Sequence, residues 1–451
     1  MYRPTPHLIE ISGNRGNPLA DRAATCHVPL VPPRNPSRID RRTLLSSLSL
    51  ACLANGCAPR RDPDALVLWA MSYQGDYAPY LTTAFTAATG IPVEVQSIPW
   101  TAAHEKLLTA HAGGVLPDVL MLANGWLAEF QMIGAIAAVP DPAMVAGLFP
   151  GLVADSRIGG RDYGVPWSVA PQVQYYRRDI LEAAGYAAPP LDWDGWRSMA
   201  ARIKRQRPDD HVFLALLNYE GWLFTMLAQN GAYPLRDRDT RGNFRTPEAR
   251  EAFGYYVSLF RDGYAPMAAS TEVQDPLAAF AAGQFAVWEA GPTWLLDLRR
   301  RQAELPADRW ATARVAGPRG PGPTSAKDVS LCVSAASPRQ AQAWRLIRHL
   351  TSAASELRFA DLIGSLPART DAWDRLTFPP AVLQPFFEQA HDLARSPMIV
   401  GWERIQIEVQ LIAERMARGL TTIDAGLAEA DRRTDRILTK RRALVEAGRI
   451  A

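Results

Sequence analysis

Leu66-Val67-Leu68-Trp69-Ala70, Ile91-Pro92-Val93-Glu94-Val95-Gln96-Ser97-Ile98 and Pro117-Asp118-Val119-Leu120-Met121-Leu122 are three strand-like runs within sixty residues. The first and third are short apolar runs with polar flanks, and the second alternates. Between them lie two helical stretches. Tyr77 to Thr89 ends at Gly90, and Ala102 to Ala112 ends at Gly113-Gly114, as helices stopped by glycine do. A further helix, Trp126 to Ile133, stops at Gly134. Strands alternating with helices at this spacing predict an α/β fold with a mainly parallel sheet. Ligands of such sheets bind beyond the carboxyl ends of the strands. Those ends carry Ser72-Tyr73-Gln74, Pro99-Trp100 and Asn124-Gly125-Trp126.

The chain has 451 residues, enough for two or three lobes. Its formal charge of +3 is unevenly spread. Seven arginines, no lysine and three acids fall in residues 1–57, which leaves the remainder near neutral. No basic stripe marks the body, so nucleic acid is not an expected partner. Arg41-Arg42 precede a modestly apolar run, Leu44 to Ala54, of signal-peptide length. The paired arginines resemble a twin-arginine export signal, with Asp40 where that pattern has Ser or Thr. Leu53-Ala54-Asn55-Gly56-Cys57 resembles a bacterial lipobox, in which Asn55 is an unusual member. Residues 1–57 are therefore expected to be an N-terminal extension and signal peptide, with Cys57 as the lipidation site and a lipid anchor to the membrane. Cys332 sits in the apolar run Val329–Val333 and reads as a buried small side chain.

Farther along come Tyr163-Gly164-Val165-Pro166-Trp167-Ser168, the strand Val173-Gln174-Tyr175-Tyr176, and Arg178-Asp179-Ile180-Leu181-Glu182-Ala183-Ala184-Gly185. Pro189-Pro190-Leu191-Asp192-Trp193 then opens a helix, with Asp192 as its cap. Gln229-Asn230-Gly231, Ala279 to Val287, Gly291-Pro292-Thr293-Trp294 and Gly364-Ser365-Leu366-Pro367-Ala368-Arg369 follow in order. Ile405, Val409, Ile412, Met416 and Leu420 make an amphipathic helix. This succession, over about residues 65–440, resembles the solute-binding proteins of ABC importers, in the sugar-binding cluster. The resemblance implies a two-lobe periplasmic-binding-protein fold of type II, with the ligand in a hinged cleft. Lobe one is expected at 62–168 plus 331–380, and lobe two at 172–328 plus 385–451. It implies an exported monomer that binds a small ligand and docks on permease subunits, with no catalytic residue, cofactor or metal.

A sugar offers hydroxyls on its rim and C–H faces to flat rings. The expected ligand-binding residues are Tyr73, Gln74, Trp100, Asn124, Trp126, Trp167, Ser168, Trp222, Glu289, Trp294, Asp328, Arg369 and Trp402. Trp69, Trp193, Trp196 and Trp344 read as packing residues. No basic cluster marks these loops, which favours an uncharged ligand over a phosphorylated one. Two other readings stand beside this one. A secreted glycoside hydrolase would need two opposed carboxylates, for which Asp192, Asp194, Glu220 and Glu289 are the available acids. A ligand sensor could use the same fold without transport.

Overall fold

The computed structural model describes residues 62, 64–325 and 328–450. The export signal and Cys57 lie outside them.

Eight strands carry the architecture: β1 (Leu66–Met71), β2 (Val93–Ile98), β3 (Val119–Ala123), β4 (Val165–Ser168), β5 (Val173–Arg177), β6 (Val287–Ala290), β7 (Trp310–Ala313) and β8 (Val329–Val333). The helices that matter below are α1 (Pro79–Thr89), α2 (Trp100–Ala112), α3 (Leu127–Met132), α4 (Trp193–Gln206), α5 (Glu220–Gln229), α6 (Pro247–Arg261), α7 (Trp294–Arg300), α8 (Gln340–Leu350), α9 (Ala353–Ile363), α10 (Pro380–Ala390), α11 (Trp402–Ala417) and α12 (Ile423–Ile437).

The first lobe is built on a five-stranded sheet in the order β2-β1-β3-β8-β4. Its first three strands are parallel, as the alternation predicts. Strand β8 lies between β3 and β4 and runs antiparallel to both, so the sheet is mixed rather than mainly parallel. The departure has a simple cause. Strand β8 returns from the second lobe and enters from the opposite end. Gly90 closes α1 in the left-handed region at φ 73°, which an L side chain resists.

The second lobe is built on a three-stranded antiparallel sheet with β5 between β6 and β7. The period of two along these strands divides them between two hydrophobic cores. Tyr175, Trp288 and Trp310 face the core shared with the first lobe, while Tyr176, Val287 and Ala311 face the second core. Helices α4, α5, α6, α11 and α12 enclose that second core. Asp192 caps α4 as its position predicts, accepting the Gly195 N–H at 2.8 Å.

The chain passes between the sheets through 169–172, through the segment from β7 to β8, and again between α9 and α10. Beside the third passage the rings of Phe149, Trp373, Phe387 and His391 meet edge to face. Trp69, Trp193, Trp196 and Trp344 are buried, and Cys332 is a free buried thiol. No described helix is long and apolar enough to cross a membrane.

Candidate functional site

The carboxyl ends of β1, β2 and β3 deliver a shelf of rings. Tyr73, just past β1, is 69% exposed, and Trp100, at the start of α2, is 37% exposed. Trp126 follows β3 and meets Trp100 edge to face, with ring centroids 5.8 Å apart. His104 supports Trp126 from behind at 4.9 Å, and its Nε2 lies 2.8 Å from Glu129 Oε2. Gln74 is half-buried in the short helix Ser72–Tyr77 that follows β1.

Opposite stands the first turn of α11. Gly401 at φ 88° reverses the chain ahead of Trp402, a conformation that favours glycine. Glu403 then reaches the first lobe, where the Trp126 indole donates to its Oε2 at 2.9 Å. This bond links a helix of the second core to a ring at the rim of the first-lobe sheet. Trp402, next to it, packs edge to face on Phe224 at 5.3 Å.

Between the halves lie polar groups of the crossing segments. Asn124 accepts the Ser330 hydroxyl at 2.8 Å, and its backbone N–H donates to the Asp328 carbonyl at 3.2 Å. Its side-chain amide nitrogen is buried without a partner. Asp328 accepts the Ala170 N–H at 3.0 Å, so its carboxyl ties the second passage to the first. Burial pushes the Asp328 carboxyl up to about 8, with the nearby Asp155 adding to the rise. Glu289 sits opposite Gln174 in the second sheet, and burial pushes it up to about 8 as well. Ser168 is buried beside Val329 in the strand pairing.

Four expected positions depart from this gathering. Trp167 is 1% exposed, stacks on Phe359 at 4.6 Å and donates to the Leu350 carbonyl at 3.2 Å. It is core of the first lobe, because β4 directs it inward. Trp222 is likewise 1% exposed and wedged against Trp196 and Phe213. Its helix α5 has buried residues almost all round, so a tryptophan there has no open side. Arg369 is held by Asp371 at 2.9 Å, and its N–H donates to the buried Glu356. It lines a separate cavity of about 260 Å³ with Met144, Arg348 and Ser352. Trp294 leans on Trp288 at 4.7 Å, half-buried against the shared core. Glu403 was absent from the expected set. A lone glutamate in the first turn of an amphipathic helix carries no sequence signal beyond favourable dipole placement.

The fold agrees with the comparisons to known proteins. A family model described as bacterial extracellular solute-binding protein matches residues 81–382. The sugar-binding protein MalE of Xanthomonas citri superposes with a TM-score of 0.80 at 35% identity, over 85% of this chain and 99% of that one. A binding protein of Brucella abortus (strain 2308) is 26% identical over 411 residues, covering 88% of this chain and 98% of that protein. The mannitol-binding protein of Pseudomonas aeruginosa is 28% identical over 182 residues, covering 39% of this chain and 40% of that protein. With two lobes, a ring-lined rim between them and a family match over most of its length, this chain belongs to the bacterial extracellular solute-binding proteins.

Proposed function

We propose that the protein binds an uncharged, hydroxyl-bearing solute, a sugar, between its two lobes and delivers it to the permease subunits of an ABC importer. The observation that carries this reading is the shelf of Tyr73, Trp100 and Trp126 opposite Trp402 and Glu403. The exposed rings of Tyr73 and Trp100, with the buried Trp126 behind them, suit the C–H faces of a sugar. Around them stand amide and carboxyl groups able to bond hydroxyls: Gln74, Asn124, Glu289 and Asp328. The relatives named for sugars and polyols support the same ligand class.

The lobes run over 62–168 plus 331–380 and 172–328 plus 385–451 in this reading, and the ligand draws them together by hinge bending. Export by the N-terminal signal, a lipid anchor on Cys57, a monomeric state and the absence of catalysis complete the proposal. The hydrolase alternative gains no support from Asp192, which is used as a helix cap.

A thermal-shift screen over sugars, polyols and sugar phosphates tests the reading. A ligand at about 100 times its dissociation constant should add about 2.7 kcal/mol of apparent stability. Stabilisation by sugar phosphates alone, or release of reducing sugar from oligosaccharides, would sink it.

A further inference from the structure

Charge is unevenly placed on the second lobe. Residues 235–245 and 429–449 together hold eleven bases and six acids. The chain after residue 57 is near neutral, so the remainder of that stretch is net acidic. Acids and bases alternate along both segments, which hides the excess in the sequence. The fold separates them.

Residues 429–449 run from the last turns of α12 into a short helix, α13 (Thr439–Glu446). Helix α12 buries Gly426, Leu427, Ala430 and Thr434. At about 100° per residue, Arg432 and Arg436 fall on the opposite face. Both are exposed, as is Lys440 at the start of α13. The acids between them are spent on the fold. Asp431 accepts the Phe244 N–H at 2.8 Å, and Asp435 accepts the Gly242 N–H at 2.9 Å. Glu429 is taken up by Arg415 and Arg433, and Glu408 pairs with Arg433 as well. Arg432, Arg436 and Lys440 pair with no acid among the described residues.

The hairpin 235–242 packs on α12 at this same end of the lobe. Asp237, Arg238 and Asp239 hold φ of 56°, 60° and 57°, a conformation that costs energy in residues other than glycine. Helix α13 holds the turn there. Arg441 donates to the Asp239 carbonyl at 3.1 Å, and Arg442 to the Thr240 carbonyl at 3.3 Å. Arg238 is left exposed at the tip, while Asp237 is drawn to Arg236 at 2.6 Å.

Resting on the lipid anchor proposed for Cys57, we infer that this face of Arg238, Arg432, Arg436 and Lys440 is a contact surface for anionic lipid headgroups. Charge complementarity sets the partner's class, and the anchor sets its source. Four residues separate Cys57 from Asp62, a span of at most about 17 Å when extended, so an anchored chain stays beside the headgroups. Asp62 belongs to the first lobe, where its N–H donates to Glu94. The basic face belongs to the second lobe and supplies a separate hold. An acyl anchor and a basic patch reinforce each other on a membrane.

Co-sedimentation of the full chain carrying Cys57→Ser, which cannot be acylated there, tests the face by itself. The vesicles are phosphatidylcholine alone, or phosphatidylcholine with an equal part of phosphatidylglycerol. The chain should prefer the anionic vesicles, and added salt should release it. Each base near such a surface raises partitioning about fivefold, so Arg432→Glu, Arg436→Glu and Lys440→Glu together should weaken binding more than about tenfold. The same reversal at Arg178, Arg202 and Arg205, exposed elsewhere on the second lobe, should weaken it far less. Arg432→Gln, Arg436→Gln and Lys440→Gln together decide the matter where the reversal does not fold. Equal binding to both vesicles, a reversal at 432, 436 and 440 without effect, or an equal loss from the control reversal would overturn the inference. Capture of duplex DNA without binding to anionic vesicles would overturn it in favour of another polyanion. Sugar affinity should be the same in all these variants, so failure on vesicles leaves the sugar-binding reading in place.

Discussion

Trp100 and Trp126 on the first lobe meet at 5.8 Å and 62°, and Trp196 and Trp222 in the second lobe meet at 5.9 Å and 44°. By ring geometry the pairs are nearly interchangeable. By surroundings they are opposites. Trp196 and Trp222 are each 1% exposed and enclosed by Phe213 and the second core, whereas Trp100 keeps 37% of its surface in water. The difference follows from where the backbone leaves each ring. Trp100 and Trp126 stand where strands end and helices begin, and Trp100 keeps an open side while Trp126 is covered by Trp100, His104 and Glu403. Trp196 points inward from the apolar face of an amphipathic helix, and Trp222 lies in a helix buried almost all round. An indole's exposure here is set by what packs against it, not by the indole.

The comparison breaks most visibly in stability. Trp222→Ala should cost about 3–5 kcal/mol of unfolding free energy, the usual toll of emptying a core aromatic site. A denaturant midpoint measures it, and the folded fraction should bind sugar as before. A loss of affinity with an unchanged midpoint would return Trp222 to the ligand site.

The buried carboxyls respond to their surroundings as the buried rings do. Asp328 and Glu289 are each pushed up to about 8 by burial, while an ordinary carboxyl in the unfolded chain titrates near 4. The folded state therefore holds more protons than the unfolded state across that interval. Their contribution is most favourable below about pH 4, declines as pH rises toward 8, and is constant above. Stability measured from pH 5 to pH 8 should fall, and Asp328→Asn should flatten the slope. A slope unchanged in that variant would show that Asp328 does not titrate in this range.

Trp100→Ala sharpens the contrast from the other side. It should weaken sugar binding about tenfold, equivalent to about 1.4 kcal/mol, and shift the unfolding midpoint little. A midpoint shift as large as that of Trp222→Ala would mean the exposed ring packs rather than binds.

Much of this was legible in the sequence. The α/β alternation between Leu66 and Leu122 identified β1, β2, β3 and their carboxyl-end loops, and with them Trp100 and Trp126. The glycine stops at 90 and 134 and the Asp192 cap were readable because local backbone demands are met by local residues. The antiparallel entry of β8 was not readable, since its direction is set by a passage through the other lobe. Trp167 and Trp222 were misplaced for a related reason. A phrase locates a residue along the chain, but the facing side of a strand or a fully packed helix is decided by partners far away. Phe359, which stacks on Trp167, is nearly two hundred residues downstream.

The bond from Trp126 to Glu403 was the least readable feature, joining residues 277 positions apart. It joins the two lobes through the protein's own side chains, which offsets some of the cost of closure. Apparent affinity scales with the fraction of molecules already competent to bind. Glu403→Ala should lower that fraction. A part-buried hydrogen bond of this kind contributes about 1 kcal/mol, which corresponds to roughly fivefold weaker sugar binding. Small-angle scattering should show a larger radius of gyration for the ligand-free variant and an unchanged one for the sugar complex. Glu403→Gln keeps an oxygen for the indole N–H and should change both readouts least. Tighter binding in Glu403→Ala would reverse the reading. Glu403 would then be competing with the ligand for the Trp126 N–H, and the contact would be a lid the sugar must displace.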